Sequence, residues 1–285
     1  MNRVHNFFAG PAALPLEVIQ EAQKELLDFQ GSGMSIMEMS HRSKTYDNVI
    51  ETARKDILEL LNLSDDHTVM FLGGGASTQF AMIPYNFLKE GATAEYIDTG
   101  TWSTKAIKEA RKMGNTKVIA SSEDKGFSYI PKDLQIDENA AYLHYTSNNT
   151  IKGTQFHFIP EAGNVPLICD MSSDFMSREM DYSKFSLIYA GAQKNIGPAG
   201  VCVVVMKNSM LERSRGADLF TMLNYKTHVD KKSMFNTPPA FPVYMVGLVM
   251  KWVKRYGGIA EIEKVNNRKA KLIYDLFDNS GGFFR

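Results

Sequence analysis

Seven short apolar runs, most separated by a turn and a stretch of helical period, confine this chain to the layered α/β architectures. The runs are Thr68–Leu72, Glu95–Asp98, Lys117–Ala120, Ala141–Tyr145, Val165–Cys169, Ser186–Ala190 and Val201–Met206. Helical spacing marks Ala76–Leu88, with Phe80, Ile83, Phe87 and Leu88 on one side, and Tyr46–Leu61, with Val49, Ile50, Ile57 and Leu61. Trp102–Met113, Pro15–Phe29, Val243–Tyr256 and the polar Ala260–Phe277 read as further helices, and Gly257-Gly258 stops the one before it. Alternation of this kind predicts an α/β fold with a mostly parallel central sheet flanked by helices. Composition turns from apolar to charged around Tyr256–Gly258. The expected division is therefore a large domain over 16–256, with 1–15 and 257–285 belonging to a small, incomplete one.

Charge narrows the partners. Lysine plus arginine equals aspartate plus glutamate, 32 against 32, which removes the electrostatic argument for a nucleic acid or an anionic membrane. No apolar stretch approaches the length that spans a bilayer, and the first residues lack the apolar region of a secretion signal. Cys169 and Cys202 both lie inside apolar runs and read as buried thiols rather than as a disulfide or metal site. A cytoplasmic protein without a metal is expected.

The chemistry concentrates at the ends of the expected strands. Lys194 sits in the Gly-rich stretch from Tyr189 to Gly200, between two strand-like runs, and Asp170 closes the apolar run before them. A lysine on such a turn can form a Schiff base. A strand-terminal acid can keep a pyridine nitrogen protonated, and together they suit pyridoxal phosphate (PLP). Each has a plainer reading, Lys194 as a surface lysine and Asp170 as a helix cap or a solvent-facing loop acid. Gly73-Gly74-Gly75-Ala76-Ser77 is either a tight strand-to-helix turn or a phosphate cradle, and it lacks the spacing of the dinucleotide fingerprint. Trp102 can stack on a flat ring or fill core volume. The polar run His144–Thr150 follows a strand on the side where open α/β sheets bind ligands. Arg42 can grip a carboxylate or make a surface ion pair. Asn236-Thr237-Pro238-Pro239 is a stiff turn with two short polar side chains that can meet a phosphate.

Taken together, these segments resemble the phosphoserine aminotransferase family, of the aspartate-aminotransferase fold type (fold type I) of PLP enzymes. The matches run from Asn6-Phe-Phe-Ala-Gly-Pro-Ala-Ala-Leu-Pro15 through Gly31-Ser-Gly-Met-Ser35, Glu38-Met-Ser-His-Arg42 and the Gly73–Ser77 turn. They continue through Asp98-Thr-Gly-Thr-Trp102, His144–Thr150, Asp170-Met-Ser-Ser173, Ala190-Gly-Ala-Gln-Lys-Asn195 and Phe235-Asn-Thr-Pro-Pro239. The resemblance implies amino transfer between L-glutamate and 3-phosphohydroxypyruvate, giving O-phospho-L-serine and 2-oxoglutarate in serine biosynthesis. A related phosphorylated keto acid of the pyridoxine route is left open. It implies PLP as cofactor, Lys194 as the Schiff-base lysine and Asp170 as the partner of the ring nitrogen. Trp102 would be the stacking residue and Thr150 the group beside the ring's 3-hydroxyl, with Ala76, Ser77 and Gln193 binding the phosphate. Asn236 and Thr237 would reach the phosphate of the neighbouring subunit's cofactor, which implies a homodimer. Arg42 would bind the amino-acid carboxylate, with His41 near the substrate's phosphate. Some relatives carry arginine at the place of Ser77. The family also continues into a carboxy-terminal domain that supplies a further His-Arg pair, and this sequence stops before it. That leaves two alternatives beside the enzyme: a folded PLP-binding remnant of impaired turnover, or another PLP enzyme of the same fold type.

Overall fold

The apolar runs become strands because the chain buries both of their faces. The computed structural model describes residues 3–216 and 218–284. Its strands are β1 (His67–Leu72), β2 (Thr93–Asp98), β3 (Asn115–Ser121), β4 (Leu143–Thr146), β5 (Asn148–Asn149), β6 (Thr154–Gln155), β7 (Leu167–Asp170), β8 (Leu187–Gly191) and β9 (Cys202–Lys207). The helices are α1 (Leu16–Glu25), α2 (Lys44–Leu60), α3 (Gly75–Phe87), α4 (Thr101–Ala110), α5 (Asn208–Leu211), α6 (Tyr225–Asp230), α7 (Ala240–Arg255) and α8 (Ile259–Asp278). Each of the seven expected runs forms a strand of one sheet, in the order β1-β9-β8-β7-β4-β2-β3.

Side chains alternate across that sheet, and the two faces make two cores. From β1, Val69 and Phe71 enter one core, and Met70 and Leu72 the other. The first core also takes Ile50 and Ile57 of α2 and Val246 and Val249 of α7, and the second takes Phe80 and Ile83 of α3 and Ile107 of α4. Truncating one such side chain, for instance Phe71→Ala, costs about 3–5 kcal/mol.

Six of the seven strands point the same way. β9 is antiparallel to both β1 and β8, while β8, β7, β4, β2 and β3 pair in parallel. The carboxyl ends of β1, β2, β4, β7 and β8 therefore share one rim, the side on which open α/β sheets bind ligands.

Four local expectations are corrected. The first helix stops at Glu25 rather than Phe29, because Gln30 and Gly31 adopt positive φ (52° and 75°) and turn the chain. That turn brings Phe29 edge-on to Tyr244 of α7, ring centres 5.6 Å apart. β4 runs Leu143–Thr146 rather than Ala141–Tyr145, and its His144 is 1% exposed with ring nitrogen Nε2 meeting Tyr189 Oη at 2.9 Å. Burial pushes this imidazole down to about 3, which leaves it neutral. The hairpin of β5 and β6 and the short helix α6 had not been expected at all. Among the described residues no helix is long and apolar enough to cross a membrane. Cys169 and Cys202 are free and buried.

Candidate active site

Asp170 is the last residue of β7, in register with Thr146 of β4 on one side and Tyr189 of β8 on the other. It is 3% exposed, which excludes a loop acid in solvent. Its Oδ1 accepts the Ser172 N–H at 2.9 Å and the Ser172 hydroxyl at 2.6 Å. That hydroxyl accepts the Gly191 N–H at 3.1 Å, so the acid is fastened to the neighbouring strand. Burial raises the carboxyl above its usual range, against the hydrogen bonds from Ser172 and the charge of Lys194. A buried carboxylate of this kind is stabilised by a cationic N–H partner.

Lys194 stands on the loop between β8 and β9. Ala192 N–H donates to the Val201 carbonyl at 3.0 Å and closes the loop's neck. A side chain at Gly197 would come within 2.8 Å of Val246 on α7, so glycine lets the loop settle on that helix. The Lys194 amine donates to Thr150 Oγ1 at 3.2 Å and lies 5.2 Å from the centre of the Trp102 ring. Trp102 Nε1 donates to the same hydroxyl at 3.3 Å. Burial lowers the amine below the ordinary lysine range, and Asp170 opposes that shift. Lys194, Trp102, Thr150 and Asp170 thus come from four different loops or strand ends to one place.

The loops carrying Trp102 and Thr150 are pinned to each other. Asn149 Nδ2 donates to Thr99 Oγ1 at 2.9 Å, and the Asn149 carbonyl accepts the N–H groups of Lys152 and Gly153 at 3.2 and 2.8 Å. Gly100, at φ 144°, has Asn149 Oδ1 only 3.0 Å from where a Cβ would stand. A second lysine, Lys105, places its amine 4.6 Å from the centre of the Trp102 ring.

β1 runs into the glycine turn, and Gly74 (φ 82°) caps α3 without a side-chain hydrogen bond. A Cβ at Gly74 would lie 2.0 Å from Thr78 Oγ1, so only glycine fits. Ala76 and Ser77 occupy the first turn of α3, Ala76 half-buried and Ser77 exposed. Exposed amides at a helix start favour an anion. Gln193 folds its amide against Gly191, where a Cβ would meet Oε1 at 2.9 Å.

Among the described residues, the remaining candidates make no hydrogen bond or ion pair with the Lys194 cluster. Asn236 and Thr237 are exposed and line a cavity of about 500 Å³ together with Gly73, Gly74 and Thr78. His41 and Arg42 lie between Gly31 and α2. Neither side chain makes a hydrogen bond or ion pair with Lys194, Trp102, Thr150 or Asp170, and the buried His41 Nε2 has no partner among the described residues. Sequence reasoning missed Gly10. The Ala12 N–H donates to the Gln193 carbonyl at 2.8 Å, which lays the amino-terminal segment over Lys194 with Gly10 against its stem.

The donor set fits PLP. An amine of lowered basicity, a flat indole, a buried carboxyl and an uncapped helix start correspond to its aldehyde, ring, pyridine nitrogen and phosphate.

The family model described as aminotransferase class-V matches residues 4–284. The phosphoserine aminotransferase of Desulfatibacillum aliphaticivorans is 61% identical over 281 residues, covering 98% of this chain and 78% of that one. The solved phosphoserine aminotransferase of Bacillus circulans subsp. alkalophilus superposes with a TM-score of 0.96 at 53% identity, over 99% of this chain and 78% of its own. The PLP-bound enzyme of Trichomonas vaginalis gives 0.91 at 36% identity, over 97% and 78%. The chain therefore belongs to the class-V aminotransferases, and within them to the phosphoserine aminotransferase family.

Proposed function

We propose that this chain transfers an amino group from L-glutamate to 3-phosphohydroxypyruvate, giving 2-oxoglutarate and O-phospho-L-serine, with PLP as its cofactor. The observation that carries the site assignment is the convergence of Lys194, Trp102 and Thr150 within one hydrogen-bonded cluster, coupled electrostatically to the buried Asp170.

When bound, PLP supplies an aldehyde that condenses with amines and a protonated ring that takes up the electrons of a broken C–H bond. The residues of the chain do the rest. Lys194, once its amine is free, is the general base and acid at the substrate's α-carbon. Its lowered basicity keeps more of the amine neutral and able to accept that proton. The Thr150 hydroxyl orients the amine, and it accepts from Trp102 at the same oxygen. Asp170 would hold the proton on the ring nitrogen, so that the ring can take up the electrons left at the α-carbon. Trp102 would lie against the ring of the cofactor. Ala76, Ser77 and Gln193 bind the phosphate. Glutamate leaves as 2-oxoglutarate before the phosphorylated keto acid enters, so the kinetics are ping-pong.

The same reading assigns Arg42 to the substrate carboxylate and His41 to the substrate's phosphate. It also assigns Asn236 and Thr237 to the phosphate in a neighbouring subunit, which makes the protein a homodimer with shared sites. Exposed Phe235, 43% accessible, stands next to Asn236 and supports a contact there. The large domain is residues 16–256, and 1–15 with 257–285 form part of a small one. The cytoplasm is the proposed location, supported by two free buried thiols.

An absorption spectrum of the purified protein, before and after L-glutamate, tests the reading. A band that glutamate displaces, together with steady-state turnover of this chain, is expected. A spectrum indifferent to glutamate refutes it, and cofactor binding without turnover identifies a remnant.

A further inference from the structure

Arg54 and Ser233 lie outside the Lys194 cluster, yet they knot together two segments that the proposed chemistry needs. β1 is an edge strand, so one side of its backbone has no neighbouring strand. Arg54 Nε donates to the Val69 carbonyl on β1 at 3.0 Å, and Ser233 Oγ accepts the Phe71 N–H at 2.9 Å. The same guanidinium donates to the Lys232 carbonyl and, at 3.3 Å, to Ser233 Oγ, while Glu51 Oε1 pairs with it at 2.6 Å. Arg54's side chain is 11% exposed and Ser233 is 3% exposed, so this is an interior knot. Lys232 and Ser233 both adopt positive φ, 48° and 59°. Residues with a Cβ hold that conformation only where their surroundings impose it, and here the hydrogen bonds do so.

The position of the knot gives it meaning. Phe71 lies two residues before the glycine turn, and Ser233 lies three residues before Asn236. Both segments then line one cavity. Neither Arg54 nor Ser233 touches the Lys194 cluster. We infer that Arg54 and Ser233 are positioning residues that fix Asn236 and Thr237 relative to the glycine turn, so that phosphate binding in the neighbouring subunit depends on them. The inference rests on the assignment of Asn236 and Thr237 given above. It links each subunit's own cradle to the segment that subunit lends to its partner.

Cofactor affinity of the dimer tests it, measured by PLP titration with tryptophan fluorescence as the signal. Arg54→Lys keeps the charge but loses the fork. Ser233→Gly loses the hydroxyl yet accepts the positive φ without strain, so it stays informative if Arg54→Lys folds poorly. Each is expected to raise the cofactor Kd by about tenfold, and each combined with Asn236→Ala is expected to bind no more weakly than Asn236→Ala alone. A general loss of stability does not produce that non-additivity. If Asn236→Ala weakens binding while Arg54→Lys and Ser233→Gly leave it intact, or if the effects add, the positioning role is overturned. If Asn236→Ala itself leaves the Kd unchanged, the assignment of Asn236 fails, and the inference fails with it.

Discussion

Gly10 packs closely against the stem of Lys194: a Cβ there would stand 3.1 Å from Lys194 Cγ and 3.5 Å from Cε, a tight approach that leaves little space for anything larger than a methyl group. The amino-terminal segment thereby packs along the stem that carries the amine. Gly10→Val is expected to displace the amine and lower kcat by about 10- to 100-fold, since a misplacement of about 1 Å carries that order of cost. Gly10→Ala, which needs only a small shift of a flexible stem, is expected to lose much less. Steady-state kinetics with a thermal melt on each variant check this. Equal loss in both variants, or loss that follows the melting temperature, sinks the steric explanation.

Lys194→Ala removes both the nucleophile and the base. Turnover is expected to fall by at least about 10³-fold, with no borohydride-reducible link between protein and cofactor. A reducible adduct in this variant would place the covalent link on another lysine.

Asp170→Asn preserves size and removes charge. Because its partner's charge matters most as the carbanion forms, kcat is expected to drop by about 10²–10³-fold while KM for glutamate changes little. An effect confined to KM would show that Asp170 serves ground-state binding.

The pH response of Lys194 can be read in the cofactor-free protein. Burial lowers the amine below the ordinary lysine range, and the negative Asp170 partly restores it. Only the neutral amine is acylated, so labelling of Lys194 is expected to reach its midpoint at lower pH than labelling of surface lysines. Asp170→Asn removes the restoring charge and is expected to move that midpoint lower still. Peptide mapping across a pH series measures both, and a midpoint that rises in Asp170→Asn contradicts the coupling.

Shared sites make a mixing experiment decisive. Lys194→Ala and Asn236→Ala subunits, each impaired alone, are expected to regain activity when refolded together. In a mixed dimer one site has an intact Lys194 and an intact Asn236 from its neighbour. Random pairing then restores about a quarter of the native activity. No recovery, or full activity in a monomeric preparation, excludes the shared arrangement.

The parts of this molecule written in the sequence are those fixed by local pattern. Runs such as Val201–Met206 are apolar throughout because both faces are buried; Asp170 follows such a run directly, and Lys194 stands on the Gly-rich loop after another. The hairpin of β5 and β6 escaped because two-residue strands carry no periodicity. Phe29 misled because its burial depends on Tyr244, more than 200 residues away. Gly10, Asn149 and Arg54 act through contacts made only after folding, and no spacing in the chain announces them. His144 read both as the middle of a strand and as the start of a polar run, and its strand carries it beneath the rim.

β9 is the spacer between the two arms of the proposed cofactor site. Leu72, Cys202 and Gly191 stand level across β1, β9 and β8, so the glycine turn and the lysine loop are held two inter-strand spacings apart. At that repeat the gap is roughly 10 Å, on the order of the length of an aromatic ring with a phosphorylated arm. The sheet thus works as a ruler graduated in strands: lengthening either loop changes what decorates the ends of the gap, but not its width.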